Sequence, residues 1–278
     1  MRALEQIRQW PVRHTAAGAV TAQGVAGAEG DGERVFALAS VTKPLVAYAV
    51  LVAVEEGAIE LDQPAGPPGS TVRHLLAHTS GVAFDTTVIM AKPGERRIYS
   101  SAGFEVLAKF VAEQTTIAFE DYLHEAVFEP LGMKSSVLTG SAGHAARSSL
   151  NDMVRFAQEL LHPTLITEQT LAEATTVQFP GTNGVLPGYG SQRPNDWGLG
   201  FEIRDHKTPH WTGAANSPRT FGHFGQSGTF LWVDPEIGVA CVSLSDENFG
   251  DWARAVWPTL SDAVIAEAAG ASRHGPIK

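Results

Sequence analysis

The chain is poor in cysteine: its 278 residues contain one, Cys241, within an apolar stretch over residues 239–244. One thiol cannot form an internal disulfide, so the sequence does not require an oxidising compartment. A small, buried strand residue is the simplest interpretation of Cys241.

Basic residues are scarce as well. The chain has 20 lysines and arginines against 30 aspartates and glutamates, which gives a net charge of −10. This deficit argues against a nucleic-acid or anionic-membrane partner, because binding to phosphates relies on lysine and arginine.

Long hydrophobic runs are also missing. The longest, residues 44–54, is too short to cross a bilayer. The first ten residues mix charges at helical spacing, without the apolar core or cleavage site of a signal peptide. We therefore expect a cytoplasmic protein. A hydrophobic content of 44% is enough for a sizeable core, in one large domain or two intertwined ones.

The spacing of apolar residues predicts strands near both ends of the chain and helices between them. Asp31-Gly32 between two strand-like runs indicates a hairpin, and stretches rich in glycine and proline at 63–69 and 180–194 indicate surface loops. The predicted strands cover residues 15–22, 24–28, 33–39, 199–204, 229–233 and 239–244. The predicted helices cover residues 2–9, 41–56, 72–77, 103–114, 119–128, 150–161, 168–174 and 251–269.

This order of elements indicates an α+β fold, in which distant segments close one antiparallel sheet flanked by N- and C-terminal helices. Residues 1–40 and 195–278 would form the sheet domain. Residues 41–194 would form an inserted, mainly helical domain. We expect an active site in the cleft between the two.

Ser40 and Lys43 stand at the start of the most apolar predicted helix. Residues three apart lie one turn apart on the same helix face, so the amine can reach the hydroxyl and activate it as a nucleophile. The positive end of the helix dipole and the apolar surroundings should both lower the pKa of Lys43. The alternative is that Ser40 only caps the helix.

Two other stretches carry candidate chemistry. Tyr99 precedes a predicted helix, and is either a half-buried anchor or a second base, if cationic neighbours stabilise its phenolate. Glycines interrupt the strand-like run over residues 222–230, which indicates that something approaches its backbone closely. A ligand could add to that edge through main-chain hydrogen bonds.

These features, with several ordered segments, resemble the serine β-lactamase-related family of class C β-lactamases, D-alanyl-D-alanine carboxypeptidases and small-ester hydrolases. The further segments are HLLAHTSG at 74–81, EPLGM at 129–133, WGLGFE at 197–202 and HFG at 223–225. The similarity runs from about Phe36 to Leu244 and implies a β-lactamase/transpeptidase-like fold.

The resemblance also implies roles for individual residues. Ser40 would be the acylated nucleophile and Lys43 its base partner. Tyr99 would pass a proton to the leaving group and then activate the deacylating water. The backbone N–H groups of Ser40 and Gln226 would form the oxyanion hole. This mechanism uses no metal and no cofactor.

Three positions depart from the β-lactamase pattern. One lies two residues after Tyr99, and two lie on the strand of His223 and Gly225 that would receive the substrate. Ser101 stands where the family usually has asparagine, His223 replaces a lysine, and Phe224 replaces a hydroxyl residue. Each change removes a hydrogen-bonding or charged group that would hold an anionic, penicillin-like substrate. We therefore expect a serine hydrolase acting on a small ester or amide, with weak β-lactam hydrolysis. The sequence carries no signal for an oligomeric state.

Other interpretations have less support. A non-catalytic relative that binds a ligand or partner is the main alternative, motivated by Ser101 and Phe224. His74 and His78 have the spacing of two metal ligands on one helix face, but no third ligand is evident, so we interpret them as structural. We expect Trp197 and Trp211, near predicted loops, to contact the substrate.

Overall fold

A computed structural model of the chain describes residues 1–272, and in it the predicted strands from the two ends of the chain meet in one sheet. The strands of this sheet are β1 (Thr15–Thr21), β2 (Gly24–Gly30), β8 (Glu202–Ile203), β9 (Phe221–Gly225), β10 (Thr229–Asp234) and β11 (Val239–Ser245). They are antiparallel in the order β2-β1-β11-β10-β9-β8. Thr15 pairs with Ser245 and Thr21 with Val239, so strands from the two ends of the chain are neighbours inside the sheet.

Helices cover both faces of this sheet. They are a 3₁₀ helix (Arg2–Gln9), α1 (Thr42–Glu55), α2 (Val72–Leu76), α3 (Ser101–Thr115), α4 (Phe119–Leu123), α5 (Leu150–Leu161), α6 (Glu168–Ala174) and α7 (Asp251–Ser272). Successive residues of a strand face opposite sides. Accordingly, Ala16 and Val20 pack in one core with α1 and α5, while Ala17 and Ala19 pack in a second core with the 3₁₀ helix and α7. The predicted α+β class is confirmed.

The first of these cores contains α1, the helix that follows Ser40. Every residue from Thr42 to Ala53 is buried, as expected for a helix that is apolar all round. Pro44 is tolerated because it lies in the first turn, where its missing N–H has no helical partner. Gly57, at a φ of 72°, lies two residues beyond the end of the helix.

The hairpin predicted at Asp31-Gly32 is wrong. The following strand, β3 (Val35–Ala37), joins a separate sheet, β3-β5-β4, with β4 (Val137–Leu138) and β5 (Ala146–Ser149). Asp31 Oδ1 accepts hydrogen bonds from the N–H groups of Glu33 and Arg34, at 3.0 and 3.3 Å. This side-chain turn directs the backbone away from β2 instead of back along it.

Two other predicted segments differ in the structure. The predicted loop over residues 180–194 contains a hairpin of β6 (Gly184–Leu186) and β7 (Gly190–Gln192). The predicted strand at 199–204 is reduced to β8, because Gly200, at a φ of 85°, interrupts the extended backbone. None of the helices in the described part of the chain is both long enough and apolar enough to span a membrane. The division into two domains stays a prediction.

Candidate active site

The backbone around Ser40 is held between α1 and the edge of the large sheet. Ala39 has a φ of 45°, a left-handed conformation that costs a non-glycine residue roughly 1–2 kcal/mol and here directs the chain from β3 into α1. The carbonyl of Leu38 accepts a hydrogen bond from Thr229 Oγ1 at 2.9 Å. A Cβ on Gly225 would lie 2.3 Å from the same carbonyl. The glycines of residues 222–230 predict that something approaches their backbone closely. In the structure, it is the main chain next to Ser40 that does so.

Lys43 is fully buried, and its amine lies within reach of Ser40. Nζ is 3.4 Å from Ser40 Oγ, and donates to Ser101 Oγ at 3.1 Å and to the carbonyl of Gly143 at 2.7 Å. Burial lowers the pKa of Lys43 from 10.5 to about 7, although the negative charge of Glu105 raises it in part. A neutral amine has two N–H groups and one lone pair. With both hydrogens given to Ser101 and Gly143, the lone pair is left for the hydroxyl of Ser40.

Tyr99 lies beside this pair and contacts His223. Its hydroxyl is 3.3 Å from His223 Nε2, while His223 Nδ1 is 2.7 Å from the carbonyl of Phe224. Because a carbonyl only accepts, Nδ1 carries the proton. Burial lowers the pKa of His223 to about 3, so the ring is neutral near pH 7 and Nε2 accepts the Tyr99 hydroxyl.

The phenol of Tyr99 is protonated at neutral pH. Burial raises the pKa of Tyr99 well above its usual value, and a hydrogen bond with the Ser40 side chain only partly offsets this. The amine of Lys43 lies 4.6 Å from the centre of the Tyr99 ring. A phenolate formed here would thus have a cation next to it once Lys43 is protonated.

His78 fixes the backbone on both sides of Tyr99. Its carbonyl accepts the N–H of Ile98 at 2.8 Å, and its Nδ1 accepts the N–H of Ser100 at 3.1 Å. The His78 and Tyr99 rings have centroids 4.7 Å apart. Since Nδ1 accepts, the proton is on Nε2, which has no hydrogen-bond partner within residues 1–272. Burial lowers the pKa of His78 well below its usual value, which keeps this acceptor available.

A cavity of about 160 Å³ opens over Ser40. It is mostly apolar, and its lining includes the candidate residues Phe224 and Gln226 and also Trp197, whose contact with a substrate stays a prediction. The expectation for Trp211 is wrong: its side chain is buried in the second core, where the indole N–H donates to Glu202 at 3.1 Å. The full lining is Ser40, Phe84, Tyr99, Leu186, Pro187, Trp197, Glu202, His223, Phe224 and Gln226.

One wall of the cavity contains a buried ion pair. The Glu202 carboxylate contacts the ammonium of Lys207, and lies 3.0 Å from His210 Nε2. Although burial alone would raise it, the pKa of Glu202 is held well below its usual range by the charge of Lys207 and by the hydrogen bonds from Lys207 and His210. Lys207 Nζ also donates to the carbonyl of Asp196 at 2.8 Å. The carboxylate is therefore fully engaged by protein groups.

The two histidines with metal-ligand spacing do not share a helix. α2 ends at Leu76, so His78 lies beyond it, and His74 Nδ1 is 2.8 Å from Thr71 Oγ1. Within residues 1–272 no group of three or more histidine, cysteine, aspartate or glutamate side chains could hold a metal ion.

Comparisons with known proteins show the family of the chain. A model of the family described as Beta-lactamase matches residues 10–264. The chain belongs to this family. A crystal structure of a β-lactamase from Mycobacterium bovis has 59% sequence identity and a TM-score of 0.95, and the alignment covers 96% of this chain and 99% of that one. This β-lactamase-family membership also confirms the β-lactamase/transpeptidase-like fold.

Curated relatives of the chain have other names. Penicillin-binding protein 4* of Bacillus subtilis (strain 168) is 25% identical over 134 residues, which cover 36% of this chain and 30% of that protein. Esterase EstB of Burkholderia gladioli is 41% identical over 66 residues, 19% of this chain and 17% of that one. The chain spans about a third to a half of the length of the first curated relatives it matches. The family and these names support a serine hydrolase.

Sequence reasoning missed two parts of the site. Gly143 supplies the carbonyl that accepts from Lys43, and a Cβ there would lie 2.7 Å from the Cβ of Ser101. No pattern marks Gly143, because its partner is 100 residues away. His78 did carry a signal, since it lies in the family-like segment at 74–81, but only the fold shows that it faces Tyr99.

Proposed function

We propose that the chain is a serine acyl hydrolase, which forms an acyl-enzyme on Ser40. The observation that carries this proposal is the setting of Lys43: a buried amine with a pKa of about 7, which donates to two fixed acceptors and lies 3.4 Å from Ser40 Oγ. A buried lysine near neutrality is suited to act as a general base.

In the acylation step, Ser40 Oγ attacks the substrate carbonyl and its proton moves to the lone pair of Lys43. The backbone N–H groups of Ser40 and Gln226 face the developing oxyanion, a role supported by the position of both residues in the cavity lining. Tyr99 gives its phenolic proton to the leaving oxygen or nitrogen. The protonated Lys43, whose amine lies 4.6 Å from the centre of the Tyr99 ring, then stabilises the phenolate.

In the deacylation step, the Tyr99 phenolate takes a proton from a water molecule, which attacks the acyl carbon. The Ser40 oxygen leaves and recovers the proton held by Lys43. Each group thereby returns to its starting protonation state. His223 is neutral throughout, and its Nε2 orients the Tyr99 hydroxyl between turnovers.

The substrate we propose is a small ester or amide. The acyl part of this substrate is small and apolar, because the cavity over Ser40 has a volume of about 160 Å³, below the ~300 Å³ of pockets that take drug-sized ligands, and mostly apolar walls. Neutral His223 and Phe224 offer no charge to anchor the carboxylate of a penicillin. The match to a protein named an esterase points the same way. We expect weak hydrolysis of β-lactams.

The test is labelling and turnover by the Ser40→Ala variant. A fluorophosphonate probe should label Ser40, and hydrolysis of p-nitrophenyl butyrate should fall at least about a thousandfold in Ser40→Ala. Ser227→Ala, which removes a neighbouring hydroxyl, is the matched control and should keep activity. The labelling rate should rise about tenfold per pH unit up to pH 7 and then level off, because Lys43 must lose its proton.

Two results would contradict the proposal. Unchanged turnover by a folded Ser40→Ala variant would exclude the acyl-enzyme. Saturable ligand binding without any hydrolysis would favour a non-catalytic relative. Faster turnover of nitrocefin than of short p-nitrophenyl esters would contradict the substrate class alone.

A further inference from the structure

A second, larger groove adjoins the cavity over Ser40. It has a volume of about 780 Å³, and three residues, Phe84, Tyr99 and Pro187, line both spaces. The remaining walls come from residues 95–98 and from the segment that contains the β6–β7 hairpin. This volume is in the range of about 300–1,000 Å³ that is typical of small-molecule sites.

Part of the groove wall is apolar and exposed. The side chain of Phe84 is 54% exposed and that of Val185 is 58% exposed. The Phe84 ring stacks on the Tyr99 ring with centroids 5.9 Å apart, so this apolar surface continues to the catalytic phenol. Grouped, exposed apolar side chains at a cleft are typical of a ligand-binding surface.

The groove also contains two arginines without partners. Arg96 and Arg193 are exposed, and within residues 1–272 neither forms an ion pair or a side-chain hydrogen bond. Glu95, the acidic residue of the lining, accepts the N–H of Lys92 at 3.1 Å. The third arginine, Arg97, is buried and donates to the carbonyls of Ala77, Gln178 and Asn195. In a chain with a net charge of −10, two unpaired guanidinium groups in one groove are complementary to an anion.

We propose that this groove binds the leaving group of the substrate, and that this group is extended, apolar next to Tyr99 and carries a carboxylate. The proposal rests on the function proposed above. Of the catalytic residues, the groove is lined by Tyr99 alone, the residue that protonates the leaving group, whereas Ser40 and Gln226 line only the small cavity. The acyl group therefore occupies the small cavity, and the leaving group extends past Phe84 towards Arg96 and Arg193.

A matched pair of substrates tests the proposal: the acetate ester of 3-(4-hydroxyphenyl)propanoate and the acetate ester of the corresponding carboxamide. The two differ in one charge, far from the ester. The wild-type chain should hydrolyse the carboxylate with a kcat/KM roughly fivefold to tenfold higher. The double variant Arg96→Gln/Arg193→Gln should lose this preference and leave the carboxamide unaffected.

Three controls separate the possible outcomes. Arg155→Gln removes an exposed arginine outside the groove and should keep the preference. Raising the salt concentration should shrink the preference in the wild type, because exposed charges are screened. Turnover of p-nitrophenyl acetate that depends on Ser40 tests the proposed function separately.

Equal rates for the two esters, or a preference that survives in the double variant, would overturn the groove assignment while leaving the acyl-hydrolase mechanism intact. If the wild-type protein did not hydrolyse p-nitrophenyl acetate, the proposed function itself would be contradicted.

Discussion

Two buried lysines lie close to the same cavity, and their partners differ. Lys43 is fully buried and forms no ion pair within the described residues; its amine contacts two hydroxyls and a carbonyl. The side chain of Lys207 is 2% exposed and contacts the carboxylate of Glu202. The first arrangement favours a neutral amine, whereas the second favours an ammonium.

The difference shows how one residue type can serve chemistry or structure. An amine with hydrogen-bond acceptors but no counter-ion has its pKa brought towards neutrality by burial, which suits a base. An amine paired with a carboxylate keeps its charge and fixes its surroundings. Here the Lys207 ammonium links Glu202 to the carbonyls of Asp196 and Ile203. Burial alone would not distinguish the two lysines; their partners do.

The largest expected effect is on Lys43. Lys43→Met should lower ester turnover at least about a thousandfold and at the same time stabilise the fold. Because the pKa of Lys43 falls from 10.5 to about 7, the amine costs folding at pH 7 up to roughly 4–5 kcal/mol. Part of this is offset by its hydrogen bonds, so we expect a gain of about 2 kcal/mol in the free energy of unfolding.

The pH dependence of this gain has a definite sign. Below pH 10.5 the unfolded lysine binds a proton, while the folded one binds it only below about pH 7. Wild-type stability should therefore rise from pH 7 to pH 10.5 relative to Lys43→Met, and the advantage of the variant should shrink over that range. Urea unfolding at several pH values measures this, with Lys109→Met, an exposed lysine, as control. If the gain in the free energy of unfolding of Lys43→Met did not depend on pH, the contrast drawn between Lys43 and Lys207 would be wrong.

The paired lysine should respond in the opposite direction. Lys207→Met leaves the Glu202 carboxylate buried without its main counter-ion, and we expect a loss of about 3–5 kcal/mol in the free energy of unfolding at pH 7. Adding Glu202→Gln should recover part of the loss, because the uncompensated charge is then gone. A stabilising Lys207→Met would show that the two lysines do not differ as the structure indicates.

How far the sequence could predict the site depended on the distance between partners along the chain. Ser40 and Lys43 are three residues apart, so helical spacing alone brings them together, and the resemblance adds Tyr99. The groups that accept hydrogen bonds from Lys43 are not local: Ser101 and Gly143 are 58 and 100 residues away.

The same limit applies to the fold. The closed sheet could be predicted from strand patterns at the two ends. The β6–β7 hairpin could not, because a stretch rich in glycine and proline indicates a loop, and Asn183 at its start is fixed by a hydrogen bond from the N–H of distant Arg97, at 2.9 Å. The groove wall that this hairpin forms could therefore not be predicted from the spacing of apolar residues.

The smallest expected effect is on His78. Like Lys43 in the comparison of the two lysines, His78 is a buried polar group that is held by hydrogen bonds and not by an opposite charge. His78 does not line the cavity over Ser40 and acts by positioning Tyr99, so His78→Leu should lower kcat about tenfold with KM nearly unchanged. His78→Asn keeps an acceptor for the N–H of Ser100 and tolerates the φ of 58°, so it should restore most of the rate. Steady-state kinetics of both variants, with equal thermal stability as the condition for comparison, decides the point. Equal losses in Leu and Asn would mean that the ring packing of His78 matters and its acceptor does not, because only the acceptor is common to histidine and asparagine.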